Sequence, residues 1–164
     1  MGYSEKRWQE VIDTFYKKYS GGAKWHQSII NEAQRTGRLT IPSGRYFPFS
    51  PERRYNGELK WPITQIKNYP VQGFGADLVM LARLEGSKRL RSSGLEASLI
   101  STVHDSIVAD CRSEDVEAVG RILYDSIACV PKLCKQVWDY DFSVPITSEV
   151  QFGPNKKDLT DMAF

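Results

Sequence analysis

The 164-residue sequence has too few cysteines for a disulfide framework. Cys111, Cys129 and Cys134 are odd in number and lack the Cys-x-x-Cys spacing of a zinc site. They read as reduced thiols that serve as small apolar core residues of an intracellular protein. The sequence also lacks any run of about 18 apolar residues, so no transmembrane helix and no membrane partner are expected. Met1 is followed by Tyr3, Glu5, Lys6 and Arg7 rather than by an apolar segment. That start argues against secretion and for the cytoplasm. There are no internal repeats and no low-complexity tracts. Apolar residues make up 41% and aromatics 12%, enough for a core, so one compact unit over 1–164 is expected.

Charge is scarce in net terms, at +2, but it is unevenly placed. Residues 1–100 hold 16 Lys/Arg against 9 Asp/Glu, a net +7, and residues 101–164 hold 6 against 11, a net −5. A basic first part suits contact with polyanions, and an acidic second part suits a site that holds cations. An uneven solvated surface would give the same counts.

Ser4 caps an expected helix to about Tyr19, in which Trp8, Val11, Ile12, Phe15 and Tyr16 recur at helical spacing. Ser20-Gly21-Gly22 breaks it, and a second helix is expected over Ala23 to Thr36, with Trp25, Ile29, Ile30 and Ala33 inward and Gly37 at its end. Both stripes read as core. A short hairpin follows, 38–41 and 45–47, about the turn Pro42-Ser43-Gly44. Residues 48–63 read as a loop pinned by Phe49, Tyr55 and Trp61. A long helix is expected from Pro70 or Val71 to just before Gly94, buried at its middle by Leu78 to Leu84. Strands are expected at 98–103 and 107–111, a helix of about sixteen residues after Ser113, and a last strand from Val144 to Phe152 followed by a polar tail.

Two segments carry chemistry. Between the strands 98–103 and 107–111 lies His104-Asp105-Ser106, long enough only for a tight turn. A carboxylate at such a tip can bind a hard cation such as Mg²⁺. Aspartate also suits turn geometry for its own sake. The second segment is Lys67-Asn68-Tyr69-Pro70-Val71-Gln72-Gly73. Asn68 and Gln72 share a face if the helix extends back across Pro70. Their amides can meet the minor-groove acceptors present on every base pair. An asparagine there can equally be a helix cap.

Together and in this order, these segments resemble the family A DNA polymerases, in which an Asn-x-Pro-x-Gln-Gly helix precedes a hairpin bearing Val-His-Asp. The likeness extends along most of the chain. Phe15-Tyr16-Lys17-Lys18-Tyr19 is similar to the family's FxxxYP stretch. Gly37-Arg38-Leu39-Thr40 and Ser43-Gly44-Arg45-Tyr46-Phe47-Pro48 are similar to its GRRryLP hairpin. Val144 to Val150 is similar to its VPLxVEV strand, and Lys67 to Gly73 looks bacteriophage-like. The resemblance implies an α+β fold: a mostly antiparallel palm-type sheet with a β-hairpin carrying His-Asp, packed on helices. Strands 99–103, 107–111 and 144–151 would form that sheet. It implies that about 1–66 supplies helices, hairpin and loop of the distal fingers, and about 67–164 the palm core.

Carried over by residue, Asp105 would be a ligand of two catalytic Mg²⁺ ions and His104 would sit by the primer terminus. Asn68 and Gln72 would contact the minor groove. Lys67, Arg45, Arg53 and Arg54 are candidates for phosphate contacts from charge and position. Two departures stand out: Ser106 occupies the position where the family usually has Glu, and Thr64 the position where it often has Arg. The DYSQIE-like strand with the second metal-binding Asp, the nucleotide-gripping fingers helix and the thumb are not found in this sequence. The implied function is therefore a C-terminal portion of a DNA-directed DNA polymerase, acting on a DNA primer-template and deoxynucleoside triphosphates with a second polypeptide, and inactive alone. The alternative is a non-catalytic DNA-binding or structural subunit that completes a palm. In either case the bacterial cytoplasm, that of the host if the gene is viral, is the expected location.

Overall fold

The computed structural model describes residues 4–53, 55 and 57–164, which fall into two compact units, Met1–Gln72 and Gly73–Phe164. Among the described residues, five α-helices are joined by short strands that pair as four separate antiparallel hairpins. This is the expected α+β class.

In the first unit, helix α1 (Glu5–Lys18) starts where the Ser4 Oγ accepts from the Arg7 N–H at 3.4 Å. Glu5 in its first turn and Lys17 and Lys18 in its last complement the helix dipole. Helix α2 (Ser20–Thr36) follows after Tyr19 alone, so the helix runs through Gly21 and Gly22. The break is shorter than expected because the Tyr19 carbonyl already accepts from the Gly22 and Ala23 N–H groups. Gly37, at φ +71°, ends α2, with its N–H donating to the Ala33 carbonyl. An L side chain is disfavoured in that conformation. Strands β1 (Arg38–Thr40) and β2 (Tyr46–Pro48) pair, with Leu39 opposite Phe47. Strands β3 (Glu52–Arg53) and β4 (Leu59–Lys60) form a second small hairpin inside the expected loop. The core is Ile29, Ala33, Leu39, Phe49 and Ile66, with Ile30, Phe47, Trp61 and Ile63 against it. Phe49 and Trp61 thus pin the loop as expected, but Tyr55 is fully exposed.

The stripe of α1 is not core. Trp8, Val11, Ile12 and Phe15 are each 45–55% exposed, and Trp25 of α2 is exposed as well. Only Tyr16 leans in, its ring centroid 6.1 Å from that of His26. The heptad-like spacing is formed, but within this unit α1 has little besides α2 to cover it.

Helix α3 (Ile63–Ser93) begins seven residues before Pro70 and gives its first ten residues to the first unit and the rest to the second. Proline lacks the N–H that would bond the Ile66 carbonyl, yet it is buried and the helix continues. In the second unit, Leu81 and Ala82 of α3 pack on Val130 and Cys134, with Leu78, Ile107, Ile127, Leu133, Trp138, Phe142 and Ile146 around them. Met80 and Leu84 stay exposed, so the expected buried middle is buried on one side only. Phe74 is ringed by Trp138, Tyr140 and Phe142 at 5.6–5.8 Å.

After β5 (Ala97–Val103) and β6 (Ser106–Cys111), a 3₁₀ turn at Ser113–Asp115 leads into α4 (Val116–Ala128), and α5 (Val130–Trp138) follows. The expected strand from Val144 shrinks to β7 (Val150–Phe152), which pairs with β8 (Thr160–Met162) in the expected tail rather than with the β5–β6 hairpin. Gly120 of α4 leaves room for this hairpin, since a Cβ there would meet Met162 Sδ at 3.0 Å and Val150 Cγ1 at 3.3 Å. The β7–β8 hairpin is seated on α4. Pro145, lacking an N–H, also disfavours a continuous ladder from 144.

Candidate active site and nucleic-acid interface

The His-Asp hairpin belongs to the second unit. β5 and β6 pair antiparallel with Val103 opposite Ser106, Thr102 opposite Ile107 and Ser101 opposite Val108. Only His104 and Asp105 are left to turn the chain. His104 takes φ +54°, a left-handed conformation uncommon outside glycine, though histidine tolerates it better than most residues. The Ser106 Oγ donates to the Val103 carbonyl oxygen across the turn at 2.8 Å. Ser106 is thus the first residue of β6, not part of the turn.

The register slips between Leu99 and Ser101, so Ile100 is bulged. A bulge bends and twists its strand, and such irregularities often lie beside functional sites. Ile100 is 63% exposed and Val103 41%, while Ile107 reaches the core of the second unit. The ribbon has two faces, and only the one bearing Ile107 is covered.

Asp105 is exposed at the tip, so its carboxylate oxygens meet solvent and can meet a ligand. Among the described residues, no three or more His, Cys, Asp and Glu side chains come together as a metal cage. Asp105 offers the hard oxygen ligand that Mg²⁺ prefers, and Mg²⁺ commonly takes one or two carboxylates plus water and substrate oxygens. The residues here fit one position of such a site.

The candidate nucleic-acid residues lie in the first unit. Asn68 and Gln72 are both exposed on α3, one turn apart across Pro70, and share a face because the helix does extend back. Lys67 is half-buried, and its charge, after burial, helps hold His26 below its ordinary pKa of 6.5. Arg45 is exposed where the β1–β2 turn closes, its carbonyl accepting from the Ile41 N–H at 2.9 Å. Arg53 is exposed on β3. Arg54 lies outside the described residues. All three cysteines are free, Cys134 is fully buried, and burial pushes each thiol up.

Sequence reasoning missed Ser106 as a partner of the turn, reading it as a lost acid. The available signal was a hydroxyl residue directly after a two-residue turn. It also missed the coupling of Lys67 to His26, which needs the packing of α2 on the start of α3.

Comparison with known proteins gives a consistent picture. The family described as DNA polymerase family A matches residues 1–158. DNA polymerase I of Aquifex aeolicus is 32% identical over 76% of this chain and 20% of its own length. DNA polymerase I of Geobacillus stearothermophilus is 27% identical over 94% of this chain and 17% of its own length. The DNA polymerase of Bacillus phage SP01 is 33% identical over 94% of this chain and 17% of its own length. The chain therefore spans about a fifth or less of these relatives. Among solved structures, the POL domain of Pol1 from M. smegmatis, in complex with DNA primer-template and dNTP, superposes with a TM-score of 0.72 at 15% identity. It covers 89% of this chain and 24% of that one. At that identity the match speaks for the fold.

Proposed function

This chain belongs to the DNA polymerase family A, and from that premise we propose that it supplies the C-terminal palm and distal fingers of a DNA-directed DNA polymerase. The observation that carries the reading is Asp105, exposed at the tip of a two-residue hairpin turn next to His104. Asp105 holds its carboxylate out as one ligand of the metal site, and a second polypeptide or segment brings the other carboxylate, the nucleotide-gripping helix and the thumb. The carboxylate of Asp105 would hold Mg²⁺ there, and a bound ion would supply help in ionising the primer 3′-hydroxyl and in neutralising the triphosphate. His104 lies beside the primer's terminal nucleotide. Asn68 and Gln72 donate from their side-chain amides to minor-groove acceptors of the newly formed pairs, which are displaced in mismatches. Arg45, Arg53, Arg54 and Lys67 meet phosphates of the primer-template.

With one carboxylate of its own, the chain adds no nucleotides alone. The protein works in the cytoplasm, and among the described residues no helix is long and apolar enough to cross a membrane. A second reading, a non-catalytic DNA-binding or structural subunit, is favoured by one observation: Ser106 stands where an acid is usual.

The Asp105→Asn variant separates the two. In primer extension by the chain combined with the rest of the polymerase, we expect addition to be abolished, with circular dichroism unchanged. Near-normal extension would leave only the second reading.

A further inference from the structure

We propose that Ser106 is a positioning residue that aims Asp105 by clasping the turn from which it projects. The inference rests on the reading of Asp105 as a metal ligand. His104 holds a backbone conformation that residues with a Cβ disfavour, and such conformations persist only where their surroundings fix them. Beyond the backbone ladder that pairs Val103 with Ser106, few side-chain contacts fix this tip. Val103 and Ser106 are both exposed, Ile100 is bulged outward, and Ile107 is the hairpin residue that reaches the core. The 2.8 Å bond from the Ser106 hydroxyl to the Val103 carbonyl joins the two residues that flank the turn. It therefore restrains both turn residues, including Asp105, without touching either.

The same chemistry explains why serine is not merely a missing acid. An ionised glutamate at 106 accepts hydrogen bonds and has none to donate to a carbonyl. A chain with glutamate there gains a charge near the metal and gives up this clasp. A chain with serine does the reverse. Placement matters because a catalytic group displaced by about 1 Å can lose about a hundredfold in rate.

Three variants test this: Ser106→Ala, Ser106→Thr and Ser106→Glu. In the 164-residue chain, amide hydrogen exchange across residues 103–107 should quicken about threefold to tenfold in the Ala variant, the range expected for one net hydrogen bond. The Thr variant, which keeps the hydroxyl, should restore it. In the assembled polymerase, the Ala variant should lower kcat at saturating Mg²⁺ by a similar factor and leave the half-saturating Mg²⁺ concentration nearly unchanged. The Thr variant should rescue kcat. The Glu variant should lower the half-saturating Mg²⁺ concentration while kcat stays low. A purely structural role would not split kcat from metal affinity in this way. Exchange in the Ala variant that matches the parent overturns the clasp, whatever the activity does. Faster exchange with full kcat also overturns the positioning role. If Asp105→Asn is then inactive, the metal-ligand reading stands and only this inference falls; if it is active, that reading falls first.

Discussion

Ile66 and Asn68 sit two residues apart on α3 and are constrained in opposite ways. Ile66 is fully buried among Ile29, Ala33, Leu39 and Phe49. Truncation to Ala removes its transfer free energy and leaves a cavity, so Ile66→Ala should cost about 2–5 kcal/mol. The check is the urea midpoint, and a loss below about 1 kcal/mol would contradict the core described here. Asn68 is exposed, so Asn68→Ala should shift stability by no more than about 0.5 kcal/mol. Its effect should appear instead as weaker discrimination against mismatched primer termini in the assembled enzyme. The same discrimination against mismatched ends in parent and variant would remove Asn68 from the interface. The two expectations differ because one side chain closes a core and the other faces outward from it, although both lie on the same turn of helix.

At the scale of elements, the packing of α2 on the start of α3 sets a pH dependence. His26 lies beside Tyr16 of α1, with Oη and Nδ1 3.4 Å apart, and is held below pKa 6.5 first by burial and then by Lys67 of α3. A base with a lowered folded pKa binds fewer protons folded than unfolded. Its stabilisation is therefore complete above pH 6.5 and is lost as pH falls through 6.5 toward the lowered value. The urea midpoint of the parent should drop across that window relative to His26→Gln. A parallel pair of curves would show that His26 is not the cause.

The two small hairpins carry a separate expectation. Neutralising Arg45 between β1 and β2, and Arg53 on β3, should each reduce the salt slope of duplex binding by about one in the assembled protein. An unchanged slope would mean that neither meets a phosphate.

Elements with strong local signals were legible: α1 from Ser4 and its periodicity, the end of α2 from Gly37, and the β5–β6 turn from two apolar runs with almost nothing between them. The start of α3 was not, because Pro70 and the residue before it disfavour helix locally and only the burial of Ile66 and Pro70 overrides that. Helix α5 escaped notice, although Pro131 in its first turn is a favourable start. The exposure of the α1 stripe had no local signal at all, since periodicity fixes which side chains share a face and not what covers them.

That stripe has a consequence for the whole molecule. Trp8, Val11, Ile12 and Phe15 of α1, and Tyr19 just after it, leave about half of each side chain in water. Large rings bury roughly 150–250 Å² each when covered, so the stripe offers on the order of 500 Å². A patch of that size matches the largest that monomers expose, about 300–600 Å², and such patches are often functional. They are also smaller than the roughly 800 Å² per partner of a stable complex. Coverage of this face alone should therefore give weak, concentration-dependent association, and firm coverage needs a larger surface that includes it. The chain spans about a fifth or less of its relatives' length, and we propose that the remaining polymerase provides such a surface. For the isolated chain, sedimentation velocity should show an average mass that climbs above 18.7 kDa as concentration rises. Replacing Trp8 and Phe15 together by Gln removes the two largest exposed rings of α1 without touching a buried residue. That variant should sediment as a monomer over the same range and keep its helical circular dichroism. It should also combine less tightly with the rest of the polymerase. A parent chain that remains monomeric at all concentrations would mean that the stripe is tolerated in water, and the requirement for a partner would lose its physical basis.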